Sequence, residues 1–202
     1  FRTVPMLSLV RFARWEEILV EPEPHEPFAF ARAIWHFGRG VAHAALGDPE
    51  AALIELAAIE QLEPQVDEIF MGNVYPARDL LEIAKALLIG EMAYRSGDAA
   101  SAVLAFEEAV ALQDALPYTE PPFWYYPTRQ SLGAALLASD RVAEAQAVFE
   151  RDLEQYPMNG WSMFGLAEAL RRQGDDAGAG KVAARFETVW QFADIELTSS
   201  IL

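Results

Sequence analysis

A spacing rule recurs along the chain and limits its fold more than any other feature. Gly40 and Gly47 stand seven residues apart, and so do Gly90 and Gly97. Five residues past the second glycine comes Ala52 or Ala102, and four further on comes Leu56 or Phe106. Gly133, Asp140, Ala145 and Phe149 keep the same offsets, with Asp140 in the slot of the turn glycine. Pro64 and Pro157 each follow the turn slot by seventeen residues. Small side chains at fixed places let two helix backbones approach, and a large one a turn later fills the gap toward the next pair. Apolar residues recur at helical spacing between these points, as in 80–88 and 103–110. Gly47-Asp48-Pro49 ends one helix, caps the next and opens it with proline, and Gly97-Asp98 and Gly174-Asp175 repeat the device. Connections this short make consecutive helices antiparallel hairpins. The expected class is all-α.

Repeats aligned this way lie near 33–66, 83–116, 126–159 and 160–193, with insertions at roughly 65–82 and 115–125. The pattern resembles the tetratricopeptide repeat (TPR), whose period of about 34 residues runs W-x2-L-G-x2-Y, then A-x3-F, then P. That resemblance implies a right-handed superhelical array of antiparallel helix hairpins, a TPR-like α-solenoid, with a concave face formed mainly by each pair's first helix. In the fourth repeat Leu166, Ala167, Gly174, Ala179 and Phe186 fit, Ala183 replaces the large residue, and Gly178 and Gly180 weaken the second helix. Residues 1–27 read as a partial repeat and a Pro-rich linker, and 28–202 as the array. The partial repeat comprises one or two short helices over 6–19, with Ala13 in the turn slot. Segments 11–19 and 126–137 are similar to segments near the end of larger bacterial TPR proteins, and a chain that opens on Phe1 is expected to be a piece of something longer.

Charge and chemistry narrow the function. Fifteen Lys and Arg against thirty-one Asp and Glu give a net charge of −16, which disfavours nucleic acid and anionic membranes as partners. No uncharged apolar run reaches the length of about 18 residues that a spanning helix needs, and no basic, apolar leader opens the chain. A soluble chain is expected, its compartment unknown. There is no cysteine, hence no disulfide, thiolate metal site or Cys nucleophile. His36 and His43 sit two turns apart on one helix with a rise of about 10.5 Å between them. That is too far for one metal, and no carboxylate stands at helical spacing from either. Both are expected to be hydrogen-bonded and partly buried. No nucleophile elbow or phosphate-binding loop occurs. We expect no enzyme activity, no cofactor and no metal.

Two features rise above this background. Pro121-Pro-Phe-Trp-Tyr-Tyr-Pro127 sets four aromatic residues between prolines, and it fits either a plug between repeats or a ligand contact centred on Trp124. The TPR resemblance further implies that Phe37, Val41, Glu91, Tyr94, Gln130, Trp161, Phe164 and Glu168 face the concavity. TPR domains that clamp acidic chaperone tails carry Lys and Asn at the fifth and ninth positions of the repeat, where this chain has Phe37, Val41, Leu87, Glu91, Gln130, Ala134, Phe164 and Glu168. The expected function is a protein- or peptide-binding scaffold, its partner neutral or basic with apolar anchors. Glu91 and Glu168 would steer a cationic peptide. One alternative is a small-molecule-binding or enzymatic helical domain that uses the insertions and the aromatic segment. Another is a self-association module, a homodimer, that pairs through the apolar face or the edge at 195–202.

Overall fold

The turns sit where the spacing rule predicts them. In the computed structural model, which describes residues 3–25, 28–66 and 75–201, Gly97 has φ +83° and Asp140 has φ +58°. Both turn slots therefore hold the left-handed conformation, which glycine enters without strain and Asp tolerates. Asp48, Asp98 and Asp175 accept hydrogen bonds from the backbone N–H groups of Ala51, Ser101 and Gly178. Each such cap contributes about 1 kcal/mol.

The turns join helices in pairs. Two short helices, α1 (Val4–Arg11) and α2 (Trp15–Val20), lead in, with Ala13 at φ +52° between them. Then come α3 (Ala29–Ala45) with α4 (Pro49–Leu62), and α5 (Ala77–Arg95) with α6 (Ala99–Ala115). Helices α7 (Arg129–Ala138) and α8 (Val142–Gln155) form the third pair, and α9 (Gly160–Arg172) and α10 (Asp176–Trp190) the fourth. The described residues contain no β-sheet. The fold is all-α, built of packed helix hairpins in the manner of a TPR-like solenoid. Of the first insertion, 67–74 lie outside the described residues, as do 1–2 and 26–27 of the leading segment, and residue 202. No helix among the described residues is long and apolar enough to cross a membrane.

The chain divides into two compact units, Phe1–Tyr126 and Pro127–Leu202. In the first, α1 and α2 pack on α3, and the first helices of the two hairpins, α3 and α5, lie against each other. In the second, α7 lies against α9 in the same way. Helix proximity in each unit depends on a glycine and a phenylalanine. A Cβ at Gly90 would overlap the Phe106 ring, and Cβ atoms at Gly133 and Gly165 would overlap the Phe149 ring from two helices. Both rings are fully buried, each contributing about 1.5–3 kcal/mol by transfer from water.

The first and fourth hairpins depart from the rule. Leu56 is only half-buried, whereas the buried line of α4 is Ala52, Glu55, Ile59 and Leu62. Leu56 falls to the side of that line, and the space over Gly40 is taken by Leu88 and the Cβ of Glu55. In the fourth hairpin, where Ala183 leaves a gap, the large side chain comes from further along α10. The Trp190 indole covers Gly160, whose Cβ it would overlap.

Candidate functional site

In the first unit the first-helix face is covered. Phe37 and Val41 on α3 are 1% and 3% exposed, and Trp124 is 3% exposed with its ring edge-on to Phe37 at 5.8 Å. The flanking aromatics continue the contact. Phe123 meets Tyr75 at 5.6 Å, and Tyr75 meets Phe30 at 5.7 Å. The segment is tied down by Gln113 Nε2, which donates to the Tyr126 carbonyl at 3.0 Å, and by the Arg11 guanidinium 5.3 Å over the Tyr126 ring. The Trp124 indole N–H and the Tyr125 hydroxyl are buried without a hydrogen-bond partner. In this fold the aromatic run packs as a plug.

Two glutamates of this unit are equally buried and behave oppositely. Glu91, on α5, is 7% exposed. Burial pushes its carboxyl up to about 7, against the pull of Arg95 Nε at 3.3 Å. It is not a solvated carboxylate, so the acidic strip expected of Glu91 and Glu168 loses this member. Its helix neighbour Tyr94 is half-buried. Glu55, on α4, is also 7% exposed. Burial pushes its carboxyl up too, but hydrogen bonds from His36 and Arg39 outweigh that and hold it below its ordinary value. Its Oε2 lies 2.6 Å from His36 Nδ1 and its Oε1 accepts from Arg39 Nε at 2.7 Å, with His43 Nε2 3.8 Å away. Since an ionised carboxylate only accepts, His36 Nδ1 carries the proton. Arg39 also donates to the Leu19 carbonyl at 3.0 Å and stacks over Trp35 at 4.7 Å. Both histidines are thus partly buried, as the sequence suggests, but their partner comes from the facing helix. The signal was a charged residue on the 52–55–59–62 line, where an apolar one is normal.

The second unit presents a different face. Gln130, on α7, is 3% exposed and sits at the edge of a buried polar network. There Asn159 Nδ2 and Ser162 Oγ donate to Asp152 Oδ2 at 2.7 and 2.6 Å, and Asn159 Nδ2 lies 3.5 Å from Gln130 Oε1. Asp152 is fully buried and escaped the sequence reading, although it follows Ala145 and Phe149 on the buried line of α8. Beyond the network the side chains open outward. Trp161 meets Trp190 edge-on at 4.6 Å, Phe164 meets Phe186 at 5.8 Å, and Phe186 stacks on Trp190 at 5.3 Å. All four rings remain half-buried. Phe164, Phe186 and Trp190, together with residues just past α10, line an open groove of about 480 Å³. Glu168 is half-buried and pairs with Arg172 at 2.9 Å and Arg171 at 3.7 Å.

Among the described residues no group of three or more His, Asp or Glu side chains is placed to hold a metal ion. The tetratricopeptide repeat family matches residues 131–188, a stretch running from α7 into α10 and less than a third of the chain. The match falls on the unit where Gly133, Gly165 and Phe149 interlock. No curated protein and no solved structure matches the chain.

Proposed function

We propose that this chain is a non-catalytic scaffold that binds a protein or peptide segment, and that the second unit supplies the contact through the groove that α9, α10 and the segment after α10 line. The observation that carries this reading is the groove lined by Phe164, Phe186 and Trp190, three aromatic rings held edge-on or stacked with part of their surface in water. Aromatic side chains contribute large contact area at little entropic cost and are favoured anchors in interfaces. The repeat-type hairpins support it, since stacked hairpins present continuous binding surfaces. A partner with apolar anchors suits this groove, and the Asp194 and Glu196 carboxylates in its lining admit a neutral or a basic one.

A photo-reactive phenylalanine analogue at Phe164 tests the proposal against the same analogue at Leu104, which is 68% exposed on α6. In cells that make the protein, irradiation is expected to yield a discrete protein adduct at 164 and none at 104. Equal adducts at both positions, or none at 164, would remove the groove from the interface.

A further inference from the structure

The segment after α10 does something that the repeat pattern does not call for. Trp190 Nε1 donates to the Ile195 carbonyl at 2.7 Å and turns the chain back over its own helix. Leu197 and Ile201 are then each 7% exposed, and Ser200 Oγ donates to the Gln130 carbonyl on α7 at 3.0 Å. Ile195 and Leu197 line the groove together with Phe164 and Phe186. Asp194, Glu196 and Thr198 are exposed, the two carboxylates in the lining of the same groove, and the segment has neither helix nor strand. Side-chain anchors and two hydrogen bonds to main-chain carbonyls are how a docked peptide is held, whereas a structural element of the array would be held by helix packing.

Resting on the scaffold reading above, we propose that residues 194–201 are a built-in occupant of the second unit, lying along Gln130 on α7, Phe164 on α9 and Phe186 and Trp190 on α10. In their place that surface takes an extended partner segment of the same chemistry: aliphatic residues at its second, fourth and eighth positions and a hydroxyl at the seventh. Partner and tether compete for one surface, so binding is gated by release of the tether. A short tether acts at an effective concentration of order millimolar, so the unaltered chain resists an added peptide and a chain with weakened anchors accepts it.

The probe is a fluorescent synthetic peptide of the sequence of residues 194–201, titrated into the full chain and into the full chain carrying Leu197→Ser and Ile201→Ser. Binding is expected to be at least tenfold tighter to the variant, and a peptide with the same two serines is expected to bind neither. Because the chain has no cysteine, Thr198→Cys gives a single site for a nitroxide, expected to be immobilised in the unaltered background and mobile in the variant. Equal or absent peptide binding by a variant of unchanged helix content would overturn the proposal, as would a nitroxide already mobile in the unaltered chain. Should the double variant lose its helices, Ser200→Ala removes only one hydrogen bond and is expected to raise peptide affinity about threefold, and no gain overturns the proposal. If the peptide fails while the Phe164 cross-link persists, the scaffold reading stands and the segment is a fixed cap.

Discussion

Phe37 and Phe164 occupy the same place in their repeats, the fifth position of 33–66 and of 160–193, yet one is sealed and the other borders a groove. Phe37 is 1% exposed beneath Trp124, which the insertion ahead of α7 delivers onto α3. Phe164 keeps surface in water and touches Phe186 on its own hairpin. Repeat position therefore decides which face a side chain occupies, and the segments between and after the hairpins decide whether that face is open. Charge follows the same division. The covered face buries Glu91, whereas Glu168 stays half-buried and paired with Arg171 and Arg172.

The largest expected effect comes from what the two units share. Phe149→Ala empties the space between Gly133 and Gly165 and should cost roughly 3–5 kcal/mol in chemical denaturation, with Phe106→Ala at Gly90 costing a similar amount. If both losses fell near 1 kcal/mol, glycine–phenylalanine interlocking would not be what holds the hairpins together.

A smaller effect separates the faces by pH. The Glu91 carboxyl is raised from an ordinary value of 4.5 to about 7, so the folded chain holds a proton that the unfolded chain releases. Stability should fall as pH rises from about 4.5 through 7, reaching a loss of roughly 3 kcal/mol above that range at 1.36 kcal/mol per unit. Glu91→Gln should abolish this slope, and Glu168→Gln should leave it intact. Glu55 runs the other way: its carboxyl is lowered, so its contribution is present above 4.5 and is lost as pH falls below that value. A slope between pH 5 and 8 that survives Glu91→Gln would place its origin elsewhere.

The sequence reading found the hairpins because their determinants are local. Glycine or Asp in the left-handed turn slot, the Asp caps and the small-residue spacing all act within a few residues, and each is where the pattern predicts it. What it missed depends on contacts distant in sequence. Glu55 pairs with residues 16 and 19 positions earlier, Trp124 seals Phe37 from 87 positions away, and Ser200 reaches Gln130 across 70. In the candidate site, Trp161, Phe164 and Glu168 keep exposed surface, as an interface requires. Phe37, Val41, Trp124 and Gln130 are buried by partners that a periodic pattern has no means of specifying. Leu56 shows a finer failure: a shift of one residue in the buried line of α4 exchanged an apolar filler for a charged one.

The most direct test of the difference between the faces is a pair of denaturation curves, Trp124→Ala beside Phe164→Ala. Removing the sealed indole should cost roughly 3–5 kcal/mol, while truncating the half-exposed ring should cost about 1–2. A gap of about 2 kcal/mol or more is expected, with Trp124 the larger. Equal losses would show that Phe164 is core like Phe37, and would contradict the claim that the second unit keeps an open face.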